Sequence, residues 1–291
     1  METTELLKKV RKIEIKTKGL SNQVFAGSYH SAFKGRGMSF SEVRNYNYGD
    51  DVRNIDWNVT ARFDAPFVKV FEEEREVTVM LLVDVSKSSL FGTQNQFKNE
   101  IIAEIAAVLS FSAVQNNDKV GVLFFSNKIE KFLPPKKGKS HILRIIRELI
   151  NIEASEDGTD LSLALEYFNN LVKRRSIAFV ISDFVSKPYE DALKIVKKKH
   201  DIVGVHLYDK LEKELPDIGL IQVRDSETQA LKWIDTSSKA LRKNYSAYFE
   251  KKREENQKIF NKINAEFVSL STEDNYTTAL LKMFKHRGKK R

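Results

Sequence analysis

Cysteine is absent from the 291-residue chain, which excludes disulfides, thiolate metal sites and cysteine nucleophiles and suits a cytosolic address. Any bound ion has to be held by oxygen or imidazole. Histidine is sparse too: His30, His141, His200, His206 and His286 are scattered without paired metal-ligand spacing, so each is expected at the surface or in packing, and zinc catalysis is not expected. Long apolar runs are also lacking. Residues 77–85 and 101–114 fall short of the about 20 needed to cross a bilayer, and Glu104 interrupts the second. The opening "METTELLKKVRKIEIKTKGL" alternates charges with short apolar groups and has neither the apolar region nor the cleavage site of a secretory signal. It reads as an amphipathic helix. With no segment expected to span a membrane, the expected location is cytoplasmic, with peripheral contact at the inner face of the membrane left open.

What is present is ordinary for a globular protein: 41% hydrophobic and 31% charged residues, enough for a sizeable core. The formal charge is +9, and the last ten residues, "KMFKHRGKKR", hold a dense share of it. That run reads as a solvated basic tail, with an anionic lipid surface, RNA or an acidic partner as further readings. Elsewhere the cations are interleaved with acids and form no stripe with stacking aromatics, so nucleic-acid binding has little specific support in the sequence.

Residues 20 to 70 are rich in Gly, Asn, Asp and aromatics, with the turn signals "KGRGMSF" and "YNYGDD", and are expected to form irregular backbone and short strands. From Phe67 onward strands alternate with helices, which predicts an α/β fold with a mostly parallel sheet and helices on both faces. The apolar runs in "VTVMLLVDV", "KVGVLFFS", "SIAFVISDF" and "DIVGVHLYD" read as its buried strands. In "SSKALRKNYSAYFEKKREENQKIFNKI" a long charged helix is expected, with Leu241, Tyr245 and Tyr248 on its inner face. The expected organisation is an N-terminal helix and irregular segment over 1–70, packed on one domain over 71–291 that ends in the basic tail.

Strand "VTVMLLVDVSKSS" runs apolar and then ends in Asp84, with Ser86 and Ser88 on alternate positions after it. In open parallel sheets ligands bind at the carboxyl ends of strands, where strand order reverses. An acid at that end emerges in a crevice rather than in the interior, where burial is costly. Asp-x-Ser-x-Ser supplies oxygen donors of the kind a hard divalent ion requires. Thr159 in "EDGTDLSLAL", at a loop opening a helix, and Asp183 in "VISDF", at another strand end, are expected at the same rim.

"DVSKS", "GTDLSLAL" and "ISDF" together resemble the metal-ion-dependent adhesion site of von Willebrand factor A domains, a Rossmann-like α/β fold with a metal at the top of the sheet. That resemblance implies Mg²⁺, or Mn²⁺ or Ca²⁺, held directly by Ser86 and Ser88, directly or through water by Thr159, and mostly through water by Asp84 and Asp183. Phe184 stands where the family often has glycine. A second resemblance lies in "GRGMSFSEVRNYNYGDDVRNIDWNVTARFDAPFVKVFEEERE", residues 35–76, which is similar to the hallmark of the bacterial domain-of-unknown-function family 58. Its members carry such a segment before a von Willebrand factor A-like domain and are typically encoded beside MoxR-type AAA+ ATPases. Many also carry membrane-spanning helices near the N-terminus, from which this chain departs. Read from its residues alone, the segment offers Asp50, Asp51, Arg53, Asp56 and Arg62 as a charge network around a half-buried Trp57.

An ion with one open coordination position accepts a carboxylate from another molecule, which makes the site a metal-bridged protein contact. Lys87 and Asp160 are candidates for selecting that partner. The expected function is therefore a non-catalytic interaction module, by resemblance a chaperone-like adaptor or co-chaperone of a MoxR-type ATPase, with other von Willebrand factor A proteins as further partners. A magnesium-dependent phosphate-ester hydrolase is the competing class, since magnesium also clamps phosphates. Against it stand the lack of a glycine-rich phosphate loop, of a second acid two residues after Asp84, and of a histidine base near these loops. Nucleic-acid or anionic-membrane binding through residues 282–291 is the third class.

Overall fold

A computed structural model describes residues 37–63, 65–74, 77–86, 98–152, 158–224 and 231–289, together with Arg11, Ile13, Glu14 and Thr17; of 37–41, 71–74, 224, 288 and 289 it describes the backbone alone. The chain divides into two compact units, Phe33–Val77 and Met1–Ala32 with Thr78–Arg291.

In the smaller unit β1 (Gly37–Asn45) pairs antiparallel with β2 (Phe67–Glu74), with a register shift between Phe40 and Glu42. A 3₁₀ turn (Val52–Asn54) and α1 (Trp57–Phe63) lie between them. Asp50 takes both guanidinium nitrogens of Arg44 at 2.8 Å and the Asn47 N–H, and this fork holds its carboxyl below the usual range. Asp56 caps α1 through the Asn58 and Val59 N–H groups and lies 3.5 Å from Lys69. The charges therefore close on one another and on a helix end rather than around Trp57. Its ring is 69% exposed, not half-buried.

The larger unit runs β3 (Thr78–Asp84), α2 (Lys98–Gln115), β4 (Lys119–Phe125), β5 (Ile129–Lys136), α3 (Lys139–Asn151), α4 (Leu161–Leu171), β6 (Ile177–Ser182), α5 (Glu190–Lys199), β7 (Asp201–Tyr208), α6 (Lys210–Lys213), β8 (Leu220–Arg224), β9 (Leu231–Asp235), α7 (Lys239–Lys262), β10 (Glu266–Ser271) and α8 (Tyr276–Lys289). Six strands form one sheet in the order β10-β7-β6-β3-β4-β5, parallel except for β5, which runs against β4. The apolar runs of β3, β4 and β6 are buried on both faces, as a parallel sheet covered by helices requires. Alternation along the strands divides the core. Met80, Leu82, Ala178 and Val180 pack with Leu165, Phe168, Leu193 and Phe260 of α4, α5 and α7, while Phe179 meets Phe284 of α8 at 6.4 Å. Gly204 of β7 is bare because Phe260 and Phe267 occupy its place: a Cβ there would lie 2.7 Å from one ring and 2.8 Å from the other. This is the von Willebrand factor A-like arrangement.

Three expectations are corrected. β2, read as the start of the main α/β pattern, pairs with β1 instead. The basic C-terminal run, expected as a solvated tail, continues α8 as far as Lys289: Lys282, Lys285 and His286 are exposed, whereas Met283, Phe284 and Arg287 are buried, and Arg287 is paired with Asp201 and, at 2.8 Å, with Glu266. Tyr248 is 64% exposed, so it is not on the inner face of α7, whose buried anchor is Phe260. Among the described residues no helix is long and apolar enough to cross a membrane.

Candidate functional site

The chain leaves β3 toward β4 on one side and later places β6 on the other, so strand order reverses at β3 and β6. The crevice above their carboxyl ends is where such sheets hold ligands. Asp84 is the last residue of β3 and Asp183 follows the last residue of β6.

Asp84 is 2% exposed. Its Oδ1 accepts the Ser86 N–H at 3.0 Å and its Oδ2 accepts the Ser182 hydroxyl at 2.6 Å; Ser182 in turn accepts the Phe184 N–H at 2.9 Å. Burial, and next the charge of Asp183, push the Asp84 carboxyl up to about 6. Two neighbouring acids in a desolvated rim favour a cation between or beside them.

One such cation belongs to the chain itself. Lys98, the first residue of α2 and 2% exposed, donates to Asp183 Oδ2 at 3.3 Å and to Glu212 Oε1 at 2.8 Å. Burial lowers its pKa, yet Asp183 and Glu212 outweigh that and raise it. Glu212 also closes a capping box on α6, accepting the Asp209 N–H at 2.7 Å. Asp183 Oδ1 accepts the Val185 N–H at 3.1 Å.

Thr159 reaches the same rim by a separate route. Gly158, at φ +90°, turns the chain in a way that suits glycine, and Asp160 then caps α4 through the Leu163 N–H. The Asp160 N–H bonds Ser126 O beyond the end of β4 at 2.8 Å. Ser186 joins this loop to the β6–α5 loop, donating to Thr159 O at 3.2 Å and accepting the Leu161 N–H at 2.9 Å. Asp160 also pairs with Lys187 at 3.1 Å. Thr159 and Ser86 are both buried. The structure thus brings Asp84, Ser86, Thr159, Asp160 and Asp183 to one end of the sheet. Lys87 and Ser88 lie outside the described residues.

The donor set is of the kind a hard ion takes: two carboxylates, each with two oxygens and about four lone-pair sites, beside hydroxyl oxygens. Among the described residues no group of three or more His, Asp or Glu gathers as metal ligands, so an ion here depends on hydroxyl oxygens as well. The sequence reading missed Ser182, Lys98 and Glu212. A lysine opening a largely buried helix, where the macrodipole disfavours a cation, is the signal that marks Lys98.

Three of the histidines are packing residues. His141 bonds Val120 O at 3.0 Å, His200 pairs with Ser176 at 2.8 Å, and His206 pairs with Ser269 at 2.8 Å. Burial lowers the pKa of His200 and of His206 to about 4, below an unfolded value near 6.5. The unfolded chain therefore binds more protons between these values, and the stability from a neutral imidazole is complete above about pH 6.5 and lost as pH falls toward 4, up to about 3 kcal/mol for each. His200→Gln is expected to flatten the pH dependence of urea unfolding across that window. Comparing variant with wild type isolates this contribution from Asp84, whose raised pKa acts with the opposite sign. An unchanged slope would count against it.

Sheet order and the helices that cover the sheet give the chain a von Willebrand factor A-like fold. The chain belongs to the family described as protein of unknown function DUF58, whose model matches residues 42–255. It is 26% identical over 290 residues to the uncharacterized protein Rv1480 of Mycobacterium tuberculosis, a match covering 99% of this chain and 91% of that one. The crystal structure of an aerotolerance-related membrane protein from Bacteroides fragilis is similar at a TM-score of 0.50 and 18% identity, over 74% of this chain and 100% of that one. The SpRpn10 VWA domain matches at a TM-score of 0.33 and 14% identity, over 46% of this chain and 76% of that one. The structural likenesses concern the fold alone.

Proposed function

We propose that the chain is a non-catalytic protein-interaction module that holds Mg²⁺, or Mn²⁺ or Ca²⁺, at Asp84, Ser86, Ser88, Thr159 and Asp183 and there meets an acidic side chain of a partner. The observation that carries this reading is the meeting of Asp84 and Asp183 at the switch point, both desolvated, beside buried Ser86 and Thr159. A bound ion would supply a Lewis-acidic position that a carboxylate completes. Asp84 is held by Ser182 and Ser86, and Asp183 by Lys98 and Val185. These bonds suit carboxylates that orient water around an ion rather than move toward it. Family resemblance adds the role: an adaptor or co-chaperone of a MoxR-type AAA+ ATPase, cytoplasmic or peripheral at the inner membrane face.

Mg²⁺ at about ten times its dissociation constant should stabilise the wild-type chain by about 1.4 kcal/mol, a rise in Tm of roughly 3–5 °C for a domain of this size. Ser86→Ala/Ser88→Ala should remove the rise without lowering the Tm measured in chelator by as much. A wild-type Tm indifferent to Mg²⁺, Mn²⁺ and Ca²⁺ would refute the metal site. Capture of the ATPase from native-host lysate by wild type in Mg²⁺, but by neither the double variant nor wild type in chelator, would tie the partner to the ion. Equal capture in every case would move the contact elsewhere.

A further inference from the structure

Asp183 also borders a cleft of 620 Å³, within the about 300–1,000 Å³ typical of sites that enclose a compact ligand. The β6–α5 loop forms one wall with Val185 and Tyr189, the end of β7 the floor with His206 and Tyr208, and α7 the other wall with Tyr245, Tyr248 and Phe249. Several of the polar groups around it are already engaged. Tyr189 OH donates to Asn256 at 2.7 Å and Tyr245 OH to Leu211 O at 3.2 Å; Lys187 pairs with Asp160, Lys252 with Glu255 and Arg253 with Glu250. His206 spends Nδ1 on Ser269 and packs its ring within 6.0 Å of Tyr208 and Phe249.

Much of the surface the cleft offers is ring and aliphatic: Tyr248 is 64% exposed and Val185 61%. A sugar or nucleotide that sought the engaged groups would have to break their hydrogen bonds, at a cost that apolar contact does not carry. An apolar side chain gains by covering these rings. Lys252 lies 6.0 Å over the Tyr248 ring at the rim.

Because Asp183 belongs both to the strand-end site and to the cleft wall, one ligand can occupy both. Residues of an extended segment advance about 3.3 Å each, so a residue one or two places from an acid at the rim is within reach of the cleft that Asp183 borders. We propose that the cleft seats a large apolar side chain, aromatic by preference, next to the acidic residue of an extended partner segment, the acid itself lying at the strand ends beside Asp183. This rests on the interaction-module reading above and supplies the anchor that an acid alone lacks; buried aromatic anchors carry most of the energy in such contacts.

Random nonapeptides displayed on phage and selected on the immobilised full chain in Mg²⁺ test this. The expected consensus places Asp or Glu within two residues of Trp, Phe, Tyr or Leu. A selected peptide should bind Tyr248→Ser and Val185→Ser about tenfold more weakly, while Tyr248→Phe retains its affinity. Replacing the peptide's large apolar residue by alanine should weaken binding to wild type by a similar factor and add little on Tyr248→Ser. Both positions are exposed, so the variants are expected to fold, which circular dichroism checks. No consensus, a consensus without a large apolar residue, or undiminished binding to both serine variants overturns the proposal. Binding that depends on Tyr248 and the apolar residue but not on chelator or Ser86→Ala keeps the cleft as the anchor and removes the ion bridge. The two readings therefore fail separately.

Discussion

Lys98→Met is expected to destabilise the fold by about 3–5 kcal/mol, the usual cost of leaving a buried charge without its partner. That is a large part of the about 5–15 kcal/mol that holds a domain together. The ammonium lies 2.8 Å from Glu212 and 3.3 Å from Asp183 and is 2% exposed, so methionine fills the volume but leaves two acids facing each other. At the first residue of α2 the helix offers the ammonium no help, since its N-terminal end favours anions. The two acids are what hold it there. Burial already raises the Glu212 carboxyl, with Lys98 opposing. Urea unfolding measures the effect, and adding Glu212→Gln to Lys98→Met should recover about 1–3 kcal/mol by removing one orphaned charge. A loss under about 1 kcal/mol in the single variant would mean that the acids find water and that Lys98 is no internal counterion.

Much of the fold was legible because its signals are local. The runs in β3, β4, β6 and β7 are apolar without alternation, which marks strands covered on both faces. The rule for strand ends places Asp84 and Asp183 at one rim from the sequence alone. What escaped the sequence depends on distant partners. Lys98 meets its acids 85 and 114 residues away; nothing in "FKNEII" or "DKLEKE" names the other. Ser182 looks like one more residue of "VISDF", and its role follows only from parallel pairing of β3 with β6. The β2 run "FVKVF" has strand character, and its choice of β1 over the main sheet is a matter of pairing, which a single strand does not encode. A charge network around Trp57 and an inner face holding Tyr248 can be read from the residues alone, yet the charges near Trp57 satisfy one another, and α7 is anchored by Phe260.

Phe184 is the residue where a local rule is broken and tertiary packing compensates. Its backbone lies at φ 56°, in the left-handed region that costs a side-chain-bearing residue about 1–2 kcal/mol. Its ring is 4% exposed among Phe267 at 5.2 Å, Phe260 at 5.5 Å, Tyr189 at 6.0 Å and His206 at 6.2 Å. Phe184→Ala should therefore cost about 3–5 kcal/mol, by lost burial and an unfilled cavity. Phe184→Gly loses the same ring and one carbon more, but it relieves the backbone. Glycine is expected to be the milder substitution here by about 1 kcal/mol, the reverse of its ordinary disadvantage against alanine. The effect should reach the site, because the Phe184 N–H bonds Ser182, which bonds Asp84, and Asp183 is the preceding residue. In a urea titration with and without Mg²⁺, the glycine variant should keep more of the ion's stabilisation than the alanine variant. Should glycine prove the worse of the two, the left-handed backbone at 184 is not what sets the position of the two strand-end acids.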